Sequence, residues 1–233
     1  MKLQVQKRST YTFLIGSALF VVCLIYIPQW GHYAPSIRQS VPSAPYLTPW
    51  TVLFVSALSL ALALVAAPFR EQHPVQTILS KALCALVICF AAVFLLEYAC
   101  GIRVPDLDIF FLPDASGQRV TLYAARPSPH SATTSLLFAS ALLIFQPDSG
   151  WRTRAFQICA LAALVLPTVA GVGYLIGLLS PRSPRGLGLS LPAVVLYFMF
   201  GSGVLRLPFG SHVGGSVGAS VSVSRRTRSL DKG

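Results

Sequence analysis

Six apolar stretches, each near the length of a bilayer crossing, constrain this chain more than any other feature. They cover residues 11–27, 49–67, 82–100, 131–145, 155–179 and 187–205. Most approach the roughly 20 residues that a helix needs to cross the hydrocarbon core, and the fourth is short. Inside a bilayer every backbone N–H and C=O must find a partner within the protein, so only helices and closed barrels span it. These stretches are apolar throughout rather than alternating, which selects helices. Of the 233 residues, 54% are hydrophobic and 11% are charged, against about 25% charged in a soluble domain. The expected fold is an all-α integral membrane protein with about six transmembrane helices.

The formal charge of +11 then reports loop placement rather than a nucleic-acid surface. Residues 1–10, the 68–81 and 147–154 loops and the segment from Arg206 onward hold twelve lysines and arginines. The three alternate loops hold six: Arg38, Arg103, Arg119, Arg126, Arg182 and Arg185. The bias places both termini in the cytoplasm, as an even number of spans requires, and turns the long 28–48 and 101–130 loops outward. Trp30, Trp50 and Trp151 stand at expected span ends, where interfacial anchors belong. The first apolar stretch follows Lys2, Lys7 and Arg8 like a signal peptide, but it is long and no small-x-small cleavage site follows. It is expected to remain as the first span.

The domain layout is therefore a cytoplasmic N-terminus over 1–10, a six-helix membrane domain over 11–210, and a flexible basic tail over 211–233. The tail is rich in Gly and Ser and ends in Arg225, Arg226, Arg228 and Lys232. It either enforces topology or touches anionic lipid. The five cysteines, Cys23, Cys84, Cys89, Cys100 and Cys159, lie in or beside apolar runs with no CxxC or zinc spacing. They read as small buried hydrophobes.

A second pattern is repetition. Thr48-Pro49, Ser128-Pro129 and Ser190-Leu191-Pro192 each put a hydroxyl at an N-cap and a proline in the first helical turn. The hydroxyl accepts from a free backbone N–H, and proline loses no bond there. Each run then proceeds to Pro68, Pro147 or Pro208, where a proline ends it. The preceding spans also share an ending: Tyr98 to Gly101 and Tyr174 to Gly177 both read Tyr-x-x-Gly. The unit is a helix ending in YxxG, an outer loop, and a helix opening on Ser/Thr-Pro. Three such hairpins, the first diverged, would form a parallel quasi-repeat, unlike the inverted repeats of many transporters.

The pattern L-x-Y-x-x-G, a loop such as GIRVPDLDIFFLP, then SPHSATTSLLF and a P-x-x-G end, resembles bacterial multi-pass input domains. Those domains precede histidine kinase, PAS or diguanylate cyclase modules. The resemblance covers residues 11–210 and implies a sensory role in a bacterial inner membrane. The 28 residues after the sixth span hold no room for a catalytic output.

Few residues carry chemistry. Glu97 is the one acidic residue in any expected span. It either reaches the headgroups from its helix end or serves as a partnered or ligand-facing group. Asp106 and Asp108 stand beside an aromatic wedge, which reads either as a short interfacial helix or as the wall of an outer pocket. With Arg126 and Glu97 they form the candidate ligand or ion-pair set. Tyr98 and Tyr174 read as interfacial anchors or ligand contacts, and His130 as a capping group or a switch. Gly173-x-x-x-Gly177 permits close helix packing. No nucleophile–base pair, P-loop, dinucleotide fingerprint or metal-ligand set occurs, so neither enzymatic turnover nor a cofactor is expected.

The leading expectation is a sensory or regulatory membrane module whose partners are the lipid bilayer and a signalling protein or a second copy of itself. The alternatives are a small transporter-like protein and a truncated fragment of a larger signalling protein.

Overall fold

The computed structural model describes residues 9–27, 47–67, 74–102, 126–146, 150–176 and 189–207. Helix α1 is Ser9–Ile27. It is followed by α2 Pro49–Ala66, α3 Pro74–Cys100, α4 Pro129–Ile144, α5 Gly150–Leu175 and α6 Leu191–Val204. Among the described residues there is no strand. Helices α1, α2, α3 and α5 are long and apolar enough to cross a membrane, while α4 and α6 are shorter apolar helices. The chain is an all-helical membrane protein.

Two boundaries differ from the sequence reading. Helix α3 begins at Pro74 rather than near residue 82, and α5 begins at Gly150 rather than near 155. Lys81, Trp151, Arg152 and Arg154 therefore lie on helices, not in loops. Hydropathy marks where a helix enters lipid, whereas backbone hydrogen bonding continues into the aqueous boundary. Trp151 is 67% exposed, with the Arg152 guanidinium 5.5 Å from its ring centroid. That arrangement suits a helix leaving the bilayer.

The caps form as the sequence requires. Thr48, Ser128 and Ser190 are the N-caps of α2, α4 and α6, and their hydroxyls accept from the N–H groups of Thr51, Ser131 and Ala193. Counted from those caps, the three helices bury the same steps. The buried positions they share include Thr51, Val52, Val55, Leu58, Ser59 and Leu62; Ser131, Ala132, Ser135, Phe138, Ala139 and Leu142; and Ala193, Val194, Tyr197, Phe200, Gly201 and Val204. A stripe at alternating three- and four-residue steps is the seam by which helices pack side by side.

The contacts between α4 and α6 are level with one another. Ser135 and Tyr197 hydrogen bond through their hydroxyls at 2.7 Å, Tyr197 donates to the Ser131 carbonyl at 3.1 Å, and Phe138 meets Phe200 edge-on at 4.9 Å. In-register contacts require the two helices to run parallel. Helix α2 touches both, and Leu62 lies against Gly203. The inner helices are thus α2, α4 and α6.

Helices α1, α3 and α5 lie outside them, antiparallel to their neighbours. Helix α3 packs on α2 and α4, and α5 on α4 and α6. Helix α1 closes the ring between α2 and α6. Ser9 donates to the Ala66 carbonyl at 2.7 Å and Thr12 to the Gly203 carbonyl at 3.2 Å. Gly16 admits this contact: a Cβ there would lie 2.9 Å from both Ala63 N and the Ser59 carbonyl oxygen. Exposed Leu14, Ile25, Leu86, Leu96, Ile158, Val165 and Val169 are the outward faces of these three helices, as lipid contact demands.

Candidate functional site

At one end of the bundle the C-terminal ends of α1, α3 and α5 meet the capped N-termini of α2, α4 and α6. We call this end the rim. Helix α3 finishes there in Glu97-Tyr98-Ala99-Cys100-Gly101. Gly101 adopts φ +66°, a left-handed conformation that lets a helix stop without Cβ strain. Tyr98 donates its phenolic proton to the Pro127 carbonyl at 2.9 Å. Tyr174, near the end of α5, donates to the Leu189 carbonyl at 2.8 Å. Pro127 and Leu189 each directly precede an N-cap serine. Both tyrosines, read from sequence as anchors or ligand contacts, therefore clamp the start of the next helix.

Glu97 sits one residue below that clamp and pairs with the guanidinium of Arg126. The two side chains are 3% and 0% exposed. Glu97 thus has a charge partner inside the protein. Burying such a pair costs several kcal/mol per ion, recovered only with good geometry and additional hydrogen bonds. Arg126 also lies 5.8 Å from the Phe94 ring centroid, a favourable cation–π distance. Arg126 stands two residues before the α4 cap, so Glu97 is drawn toward the partially positive N-terminus of α4, with the favourable sign. Among the described residues Glu97 is the one carboxylate.

Beneath the pair is an aromatic cluster that the sequence did not reveal. Trp50 lies 5.0 Å from Phe90 and 5.1 Å from Phe94, and Phe54 lies 6.1 Å from Phe94, centroid to centroid. Trp50 is 8% exposed. Its placement as an interfacial anchor is corrected here: the ring turns inward because α3 offers it two phenylalanines one helical turn apart. The signal present in the sequence was the (i, i+4) spacing of Trp50 with Phe54 and of Phe90 with Phe94.

The remaining sequence candidates are placed as follows. Asp106, Asp108 and Gly177 lie outside the described residues, as do Arg38, Arg103, Arg119, Arg182, Arg185 and the tail. Thr48, Pro49, Ser128, Pro129 and Ser190 are cap or first-turn residues. His130 is half-buried in the first turn of α4. Cys23 and Cys84 are buried, Cys159 is half-buried, and all five thiols are free. Cys89 and Cys100 are exposed, which corrects their reading as buried hydrophobes: both fall on the lipid-facing side of α3. Among the described residues no group of His, Cys, Asp and Glu could hold a metal ion.

The inner axis is closed. Leu58, Phe138 and Phe200, at one level on α2, α4 and α6, are 0–1% exposed. Above them the axis carries the Ser131, Ser135 and Tyr197 hydroxyls, and below them Leu62, Leu142 and Val204. The arrangement places a buried charge pair and a hydroxyl cluster at one end. Neither family models, nor curated proteins, nor solved structures yielded a match to the chain.

Proposed function

We propose that the chain is a sensory or regulatory membrane module. It would be built from three parallel hairpins, α1–α2, α3–α4 and α5–α6, with six membrane crossings and the rim facing out of a bacterial inner membrane. The equal burial registers and the paired tyrosine clamps support the repeat. The resemblance of the Tyr-x-x-Gly and Ser-Pro motifs to bacterial input domains supports the sensory role. The observation that carries the reading is the buried Glu97–Arg126 pair. It belongs to the second hairpin, and residues 103–125 lie between its two partners in the sequence. A charge pair held in a low-dielectric rim is sensitive to anything that competes for either partner.

In this reading the module works by changing shape and passing that change to a partner protein or a second copy, not by turnover. The test is a chimera that places residues 1–210 ahead of a histidine kinase output. Glu97→Gln and Arg126→Gln should each shift basal autophosphorylation, measured per membrane-inserted protein, by about threefold or more. Output identical to wild type in both variants would overturn the proposal. Reporter fusions at Lys7, Pro113 and Lys232 test the orientation, and a cytoplasmic Pro113 would reverse it.

A further inference from the structure

Helix α5 carries Pro167 inside it, seven residues before Tyr174. The residue seven before Tyr98 on α3 is Ala91. The other buried positions of the two helices coincide as well: Ser80, Cys84, Val87, Phe94 and Glu97 match Phe156, Ala160, Ala163, Ala170 and Gly173 when counted back from the tyrosines. Pro167 therefore stands at a packed position that its counterpart fills with a good helix former. Proline brings no N–H to the Ala163 carbonyl, and its ring presses on that carbonyl. One step on, the Thr168 hydroxyl donates to the Leu164 carbonyl at 2.7 Å, a contact that also bends helices. Opposite, on α6, a Cβ on Gly201 would come 2.6 Å from Leu164 Cδ2. Leu164 is seated in the notch that this glycine leaves.

Helix α4 packs on α5. On α2, the sixth residue after the cap is Phe54, which packs on Phe94 of α3. On α6, Gly203 stands one heptad beyond that position and meets Ile15 of α1. Thr134 holds the same register on α4, six residues after its cap. Thr134 is 0% exposed and its hydroxyl has no hydrogen-bond partner. Where the α2–α3 seam holds Trp50, Phe54, Phe90 and Phe94, the corresponding positions of α4 and α5 are His130, Thr134, Leu166 and Ala170. A buried hydroxyl without a partner destabilises the closed arrangement. It gains water as soon as the α4–α5 seam parts.

We propose that α5 is a two-part helix hinged at Pro167, whose rim half, residues 168–175, swings away from α4 and opens this seam. Below the hinge α5 stays fixed, with Phe156 against Phe145 at 5.1 Å. Above it, Tyr174 carries the Leu189 carbonyl, and with it the cap of α6, along with the swing. The device does not depend on what the module senses.

Amide hydrogen exchange on the full chain in lipid nanodiscs tests the hinge. Residues 168–175 should exchange about tenfold faster than residues 92–99 of α3. Pro167→Ala should slow them about fivefold. Thr134→Val removes the hydroxyl without changing shape and should slow them about threefold by favouring the closed seam. Equal exchange in the two helices would overturn the proposal. So would an unchanged rate in Thr134→Val, which decides alone if Pro167→Ala fails to fold. Either result would leave the sensory reading standing, because that rests on the output of the chimera and not on exchange.

Discussion

The second and third hairpins share one frame and differ in what they hold. Each ends its outer helix with a tyrosine that clamps the carbonyl ahead of the next helix's serine cap, at 2.9 Å and 2.8 Å. Below the clamp the second hairpin has Glu97 paired with Arg126, and the third has Gly173. Further along, the second has Ala91 and the third Pro167. The clamp and the cap act on backbone groups, so they survive changes in the residues around them. The charge pair and the proline are side-chain features that one hairpin can gain without disturbing the other. One hairpin is tied by charge and the other is free to bend.

The largest expected effect breaks the tie in the second hairpin. Arg126→Ala leaves Glu97 buried without its partner and should cost about 3–5 kcal/mol in reversible unfolding from detergent micelles. Replacing both residues by leucine should recover most of that loss. A double variant as unstable as Arg126→Ala would mean that packing around Arg126, not its charge, holds this end.

In the third hairpin the corresponding weak point is steric. Gly201→Ala forces Leu164 from its notch and should cost about 1–3 kcal/mol. Leu164 is the far end of a flexible side chain, so adding Leu164→Ala should cost less than the sum of the two single changes. Full additivity would show that the two residues do not share a seat.

The comparison sharpens at the clamps. Tyr98→Phe and Tyr174→Phe each remove one hydrogen bond to a backbone carbonyl, worth about 1 kcal/mol. Thermal denaturation should give equal losses for the two. A markedly larger loss for Tyr98→Phe would show that its clamp and the Glu97–Arg126 pair act as one unit.

The smallest effect belongs to the caps. The Ser128 hydroxyl lies 3.1 Å from the Ser131 N–H nitrogen, and the Ser190 hydroxyl 3.4 Å from that of Ala193. Ser128→Ala should therefore cost about 1 kcal/mol and Ser190→Ala about 0.5 kcal/mol. The reverse order would point to a role for Ser190 beyond its cap.

By itself the sequence determined the membrane class, the six helices, the three capped starts and the recurring Tyr-x-x-Gly ending. Those features depend on local causes: apolar runs long enough to cross lipid, hydroxyls that cap, and prolines that a first turn accepts without losing a bond. Helix ends at the aqueous boundary were less legible, because hydropathy falls before hydrogen bonding stops, as Pro74 and Gly150 show. Glu97 and Arg126 stood out as charged residues, but 29 positions separate them, and spacing alone does not choose a partner across such a loop. Only the packing of α3 on α4 brought them together. Likewise only the approach of α3 turned Trp50 inward, and only the closure of α1 onto α6 gave Thr12 the Gly203 carbonyl. The tertiary structure decided these because each contact joins surfaces that the chain presents separately. Which of them meet depends on shape and on desolvation, and neither is encoded in a single helix.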